Sequence, residues 1–449
     1  MTYANQLLPR EKVFRDPVHN YIYVRHQVIL DLINTPEFQR LRRIKQLGTS
    51  SFTFHGAEHS RFTHSLGVYE IARRICNNFQ RNFPSEVAGD GKWDDSERLV
   101  ALCAALLHDI GHGAYSHTFE HIFNTDHEKI TQQIITNPGT EVNAVLSRVS
   151  PNFPEQVASV IDKSYPNKQV VQMISSQCDA DRMDYLLRDS YSTGTSYGNF
   201  DLTRILRIMR PYSDGICFDM NGMHTIEDYI IGRMQMYVQV YFHPVSRSME
   251  VILNHLLLRA KDLYHDGKLE PELTPYLLLP FFDDQFSLDD YLELDDGVLN
   301  TYFIHWKHSD DDILSDLAHR FIDRKPFKSA KYEQENLETI TRLRGLVADC
   351  GYDPKYYTGV DNSFNMPYDS YDTKKEIHDA QIKLMNLDGT LVGLSKVSDL
   401  VRVVTNKIVS EDRFFFPREF LKSDKQTDLF LPVHEQFRKY IKNDHIINE

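Results

Sequence analysis

Four of the chain's 20 histidines fall between positions 108 and 121. The segment LCAALLHDIGHGAYSHTFE over residues 102–120 carries three of them, with His121 directly after it, and opens as an almost wholly apolar helix too greasy to face water on any side. It delivers His108 and Asp109, adjacent in sequence, into the interior. Neighbouring helical residues point about 100° apart, so the pair can converge on an ion that lies between their directions. An imidazole and a carboxylate buried together are costly unless each is paired or bound to metal. Gly111 and Gly113 let the backbone turn sharply before His112, His117 and His121. A lone His-Asp dipeptide would be an ordinary hydrogen-bonded helix end; this clustering, flanked by glycines, argues for chemistry instead.

Two other stretches supply partners. His64, Val68, Ile71 and Ile75 fall on one face of a helix from about 61 to 79, so His64 heads an inward-facing stripe. Asp181, Asp184, Tyr185 and Asp189 share one side of another helix, where like charges need a cation, arginine or metal, opposite them. The expected metal set is His64, His108, Asp109 and Asp181. Two imidazoles and two carboxylates without a thiol suit a divalent ion (Mn²⁺, Mg²⁺, Fe²⁺, Ni²⁺ or Zn²⁺) with open positions, and not a structural zinc. Such an ion polarises a phosphoryl oxygen and activates water. Phosphoryl chemistry also needs cations for the oxygens, for which Arg61, Arg182 and Arg233 are placed by sequence. His117, Glu120 and His127 are near without matching a ligand pattern, and suit proton movement.

The elements that position these residues are mainly helical. Residues 12–26 predict a short hairpin. Residues 27–47 predict a helix with Pro36 near a start and four cations, Arg40, Arg42, Arg43 and Lys45, that read equally as a solvated face or an anion site. Asn124-Thr125-Asp126 predicts a helix cap, and residues 128–177 predict helices broken at Pro138, Pro151, Pro154 and Pro166. Further helices are expected over 202–209 and 226–264. Beyond about residue 267 the chain turns acidic and aromatic, with helices near 311–324 and 335–350. Strands are expected near 380–393, around the hairpin signal Asp388-Gly389. The expected organisation is a helical phosphohydrolase domain over 1–270 and an accessory α+β assembly region over 271–449.

Composition narrows the class. Hydrophobic content of 41% with 12% aromatics is that of a folded globular chain. A net charge of −14 disfavours nucleic acid as the main partner. Five cysteines with no CxxC pair predict reduced thiols and a cytoplasmic setting. No apolar run approaches a membrane span.

The order H…HD…D, as His64, His108-Asp109 and Asp181, matches the signature of HD-domain phosphohydrolases. The words DPVH, FQRLRRIKQLG, HSRFTHSLGVYE, HDIGHGAYSHTFEH and DADRMDYLLRDS are narrower still. Over about residues 12–250 they resemble deoxynucleoside triphosphate triphosphohydrolases, the shorter bacterial members rather than the vertebrate enzyme with fused SAM and HD domains. That resemblance implies hydrolysis of a dNTP to deoxynucleoside and triphosphate. It implies that His64, His108, Asp109 and Asp181 bind the metal, and that His117 protonates the leaving oxygen with support from Glu120 and His127. His112 would stand near the α-phosphate, and Arg61, Arg182 and Arg233 would hold phosphates. Gln46, Tyr185 and Asp189 would read the 3′-hydroxyl, while Leu47 and Tyr241 exclude ribonucleotides; Phe242 stands where a relative has a base-contacting glutamine. It further implies a homo-oligomer, a tetramer or dimer of dimers, with a dGTP or GTP activator between subunits at Arg15, Asn34, Gln39, Arg42 and Arg210. Asn34, Asp219 and Asn221 depart from the vertebrate pattern there, which predicts a rearranged effector site. The competing expectations are an HD phosphodiesterase or phosphomonoesterase on another nucleotide, and a non-catalytic nucleotide sensor.

Overall fold

The computed structural model describes residues 2–361, 364–365, 381–405, 409–410, 412–421 and 429–448. An antiparallel hairpin, β1 (Leu7–Asp16) and β2 (Asn20–His26), leads into α1 (Gln27–Asn34) and α2 (Pro36–Arg40). The helix expected over 27–47 is thus broken. Thr35 is extended (φ −65°, ψ 147°) because Pro36 disfavours helical backbone before it, and Pro36 restarts the helix at its first position. Past Arg40 the chain tightens into a 3₁₀ turn, and Lys45 bridges to Ser60.

The centre is α3 (Arg61–Asn82) packed on α4 (Arg98–Leu107). The predicted stripe of α3 is buried, and every residue of α4 from Val100 to Leu107 is in the core. Around them lie α5 (His117–Phe123), α6 (His127–Thr136), α7 (Glu141–Ser147), α8 (Phe153–Ile161) and α9 (Lys168–Ile174). Asp126 caps α6 as expected, its side chain accepting from the Glu128 and Lys129 amides. Pro154 starts α8 instead of breaking it, since the first helical turn spares the missing N–H. α10 (Ala180–Thr193) then crosses α3.

After α11 (Leu202–Ile208), a hairpin of β3 (Met209–Tyr212) and β4 (Gly215–Asp219) appears that the sequence reading did not anticipate. The helix expected over 226–264 is two. α12 (Met223–Met236) ends in a π turn over Tyr237–Tyr241, and α13 (Pro244–His265) restarts at Pro244, which has no N–H to continue the ladder.

The later region is α+β, as expected. It holds α14 (Leu279–Phe282), α15 (Leu288–Leu292), α16 (Asp296–Trp306) and α17 (Asp312–Ile322). A mixed sheet runs in the order 441–442, 445–446, 328–331, 413–416, 359–361. The strands expected near 380–393 are Lys383–Met385 and Leu391–Gly393, an antiparallel pair turning at Gly389 (φ 82°); Ala380 lies outside the described residues. Lys383–Met385 extends the β3–β4 sheet through β4, so this segment returns to the helical part. Among the described residues no helix is long and apolar enough to cross a membrane.

Candidate active site

His64 stands in the first turn of α3, His108 caps the end of α4, and Asp181 opens α10. Three packed helix ends therefore aim one polar atom each at a common point. His64 Nε2 lies 3.3 Å from His108 Nε2, and Asp181 Oδ1 lies 3.1 and 3.4 Å from the two nitrogens. Asp109 borders the same point, Oδ1 3.3 Å from His108 Nε2 and Oδ2 3.7 Å from His64 Nε2. The hydrogen bonds behind the rings fix what these atoms are. His64 Nδ1–H donates to Asp184 Oδ2 at 2.8 Å, and His108 Nδ1–H to the Ala105 carbonyl at 3.0 Å. Neither acceptor carries a hydrogen, so both Nε2 atoms face each other, and the carboxylates, as lone pairs. That convergence calls for a cation, and the donor set fits a divalent metal. Without one, a proton takes its place. Burial opposes it, yet the Asp181 and Asp184 carboxylates outweigh burial and lift His64 to about 10, and Asp109 and Asp181 raise His108.

The acidic face of α10 finds its partners in this way. Asp181 meets the imidazoles, and Asp184 meets Arg188 and two histidines. Asp189 accepts from His59 Nε2 at 2.7 Å and from the Tyr241 hydroxyl at 2.7 Å.

Beyond the cluster, Gly111 is required: a Cβ there would sit 2.4 Å from the His127 carbonyl and the Thr131 nitrogen. His112 and His127 stack, centroids 3.9 Å apart and planes at 16°. Glu120 Oε1 accepts from His127 Nδ1 at 2.7 Å and lies 4.0 Å from His112 Nδ1. A metal sits in the plane of each imidazole that binds it. Parallel rings point their lone pairs side by side, so this trio suits proton passage better than an ion. The two rings are shifted in opposite directions. Burial and then Arg61 push His112 well down, whereas at His127 the Glu120 carboxylate outweighs burial and raises it. His117 opens α5; its side chain lies outside the described residues.

A cleft of about 550 Å³ adjoins both groups. Its walls include Asp109, Asp181, His112 and His127, and also Gln46, Leu47, Arg61, Arg182, Tyr185, Asp189, Tyr241 and Phe242. Arg61 donates to Asp109 Oδ2 at 2.5 Å and to Ser116 Oγ at 3.0 and 2.8 Å, while Arg182 donates to the Ser176 carbonyl at 2.6 Å. Arg233 is buried behind the wall, Nη1 donating to Gln177 at 2.9 Å and Nε without a partner among the described residues.

The five residues expected at an effector site are not gathered within one chain. Arg15 bonds the Tyr21 hydroxyl at 2.5 Å, and Asn34 ends α1. Gln39 donates to the Ile33 carbonyl and accepts from Arg42, which covers the Phe62 ring. Arg210 covers Phe83 and pairs with Asp219. Phe62 and Phe83 mark opposite ends of α3, about 30 Å apart at 1.5 Å per residue. The cationic run at 40–45 divides: Arg42 and Arg43 are exposed, Arg43 pairing with Asp295, Lys45 meets Glu58, and Arg40 alone is buried, on backbone carbonyls.

Arg40's partners belong to a support the sequence reading missed. Arg40 donates to the carbonyls of Leu294 (2.9 Å), His112 (2.8 Å) and Tyr291 (3.3 Å). The Tyr291 hydroxyl donates to the Gly111 carbonyl at 2.8 Å. Asp296 accepts the Tyr115 and Lys45 amides, each at 2.9 Å, and the Tyr115 hydroxyl donates to Asn300 at 2.8 Å. These contacts cross the expected 270/271 boundary. His19 of the DPVH word was likewise not assigned a role, and it contacts Asp184 at 2.6 Å.

This helical core and its His/Asp cluster define an HD-domain metal-dependent hydrolase, and the HD domain model matches residues 61–189, with the HD associated region matching 200–272. The chain is 50% identical over 422 residues to the uncharacterised protein YwfO of Bacillus subtilis, covering 94% of this chain and 95% of that one. The deoxynucleoside triphosphate triphosphohydrolase SAMHD1 of Gallus gallus is 30% identical over 288 residues, 56% of this chain and 45% of that protein, so about half of that relative is spanned. A phosphohydrolase structure from Bacteroides thetaiotaomicron superposes with a TM-score of 0.77 at 28% identity, covering 91% of this chain and all of that one. The chain belongs to the HD-domain dNTPase-like family of phosphohydrolases.

Proposed function

We propose that the protein is a dNTP triphosphohydrolase: water attacks the α-phosphorus, the bond to the 5′ oxygen breaks, and deoxynucleoside and intact triphosphate leave. One observation carries this reading. A single cleft joins the metal-type cluster, two arginines and the polar side chains of Gln46, Tyr185 and Asp189. When bound at His64, His108, Asp109 and Asp181, a divalent ion neutralises phosphoryl charge and acidifies water. Arg61 and Arg182 border that cluster, and Arg233, one shell back with an uncommitted Nε, adds a third cation for a triphosphate. Asp189, held on both oxygens by His59 and Tyr241, is fixed to accept a 3′-hydroxyl with Gln46 and Tyr185 beside it. Leu47 and Tyr241 crowd the position of a 2′-hydroxyl, which favours deoxyribose. Phe242 offers the base an apolar ring and no hydrogen bond.

The leaving 5′ oxygen needs a proton. His112, whose pKa is pushed down, stacks on His127, whose pKa is raised beside Glu120, and this pair is suited to relay one to His117, the expected donor, which opens α5. Assembly as a homotetramer or dimer of dimers, with dGTP or GTP between subunits, accompanies this reading. The separation of Arg210 from the neighbouring Asn34, Gln39 and Arg42, at the other end of α3, supports a site built from several subunits.

The test is to mix the protein with Mn²⁺ and each dNTP, with and without dGTP or GTP, and separate the products. Deoxynucleoside plus triphosphate is expected. Failure to form them with any divalent metal or activator sinks the reading. Arg233→Ala should cripple cleavage of triphosphates and barely alter that of a monophosphate.

A further inference from the structure

The carboxylate behind His64 is itself held from outside its helix. Asp184 is fully buried, and each of its oxygens has assigned work: Oδ2 accepts from His64 Nδ1 at 2.8 Å, and Oδ1 contacts His19 Nε2 at 2.6 Å. Arg188 adds Nε to Oδ2 at 2.8 Å and Nη2 to Oδ1 at 3.0 Å. Arg188 lies one turn along the same helix, so it travels with Asp184 and cannot by itself fix the carboxylate relative to α3. His19 comes from the tight turn between β1 and β2, 165 residues away. That turn is rigid: Asp16 Oδ1 accepts the Val18 and His19 amides, each at 2.9 Å, and Asp16 Oδ2 accepts Arg188 Nη1 at 2.8 Å. On the remaining side the carboxylate lies against Gly67, where a Cβ would come within 1.9 Å of Asp184 Oδ1.

We propose that His19 is a positioning residue of the metal centre: its Nε2–H locks the Asp184 carboxylate, which in turn orients His64 so that Nε2 points at the ion. Because a carboxylate accepts on both oxygens, His19 must be the donor in this pair. The hydrogen bond does two things. It removes the rotation of the carboxylate about its last torsion, and it draws charge from the oxygens that make His64 basic. Outer partners of metal-bound imidazoles act in this way, and their loss weakens metal binding about 10- to 100-fold. The proposal rests on His64, His108, Asp109 and Asp181 being the metal ligands.

The test measures Mn²⁺ binding to the full chain without substrate, by equilibrium dialysis and the loss of free-ion electron paramagnetic resonance signal. Thermal unfolding in chelator checks the fold of each variant. His19→Ala should weaken Mn²⁺ binding about 10- to 100-fold. His19→Gln, whose amide nitrogen reaches the place of Nε2, should restore most of it. His19→Asn, too short to reach, should not, and it replaces His19→Ala if that variant does not fold. Equal affinity in the wild type and His19→Asn overturns the proposal. A loss shared by His19→Gln overturns it too, since ring packing would then be the cause. If the wild type itself binds no Mn²⁺, the ligand assignment fails first.

Discussion

His64, His108 and Asp181 sit at the ends of three buried helices, whereas Tyr115 and Ser116, a few residues past His108, sit in the tight turn that leads into α5. Both have left-handed backbone, φ 52° and 47°, at a cost of about 1–3 kcal/mol each for side chains other than glycine. The two regions are held by opposite means. The ligands inherit their geometry from the packing of α3, α4 and α10. The turn is propped by groups far along the chain: Asp296 on the Tyr115 amide, Asn300 on its hydroxyl, and Tyr291 and Arg40 on the carbonyls of Gly111 and His112. What the turn delivers is Ser116 Oγ, the acceptor that aligns Arg61. A metal centre needs distances fixed to tenths of an ångström, which helix packing supplies. An arginine proposed to face a phosphate needs only direction, and a propped turn suffices.

Substitutions should separate the two. The largest effect is expected at the ligands. Asp181→Ala should weaken Mn²⁺ binding by more than about 100-fold, beyond the loss typical of an outer partner, and abolish hydrolysis. At Mn²⁺ 100 times its dissociation constant, the wild type should unfold about 2.7 kcal/mol less readily than in chelator, and Asp181→Ala should lose that increment. Asp296→Ala comes next. It strips both amides of their acceptor, so turnover should fall about 10- to 100-fold by the order of a misplaced binding group. Mn²⁺ affinity should stay at the wild-type value. A joint fall in affinity would break the contrast between the regions.

His127 gives a pH test at the edge of the turn. Its pKa is raised in the folded chain, so the pairing with Glu120 contributes fully below the unfolded value near 6.5 and is lost as pH rises through the folded value. Denaturant unfolding should therefore show stability declining above about pH 6.5, and His127→Asn should flatten that decline. The smallest effect belongs to Tyr291→Phe. It removes one neutral hydrogen bond to the Gly111 carbonyl and should cost about 1 kcal/mol of stability with turnover changed less than about threefold.

The cluster of His64, His108 and Asp181 was legible because histidine and aspartate are rare on apolar helix faces, so His64 above Val68, Ile71 and Ile75 stands out locally. The helical core, the hairpin at the start and the cap at Asp126 were legible for the same reason, being local patterns. Asp296 and Tyr291 were not. In sequence they are one more acidic residue and one more aromatic in an acidic, aromatic stretch, and Asp295 beside Asp296 reads as an ordinary helix cap, which it is. What sets Asp296 apart is that it accepts the Tyr115 and Lys45 amides, and those contacts are a property of the tertiary fold. The breaks at Thr35 and Phe242 had local signals in Pro36 and Pro244, outweighed by long apolar periodicity on either side. The hairpin of β3 and β4 was hidden by strands of four and five residues, too short to set a pattern.

The bond between His19 and Asp184 also sets a timetable. At about 5–20 residues per second, the ribosome releases Asp184 some ten to thirty seconds after His19. Throughout that interval the nascent hairpin has no α10 to dock on, and His64 has already emerged without its carboxylate. The chain thus becomes able to capture its ion late, once both ends of the bond are out, and a pause in synthesis between these points would lengthen its metal-free infancy.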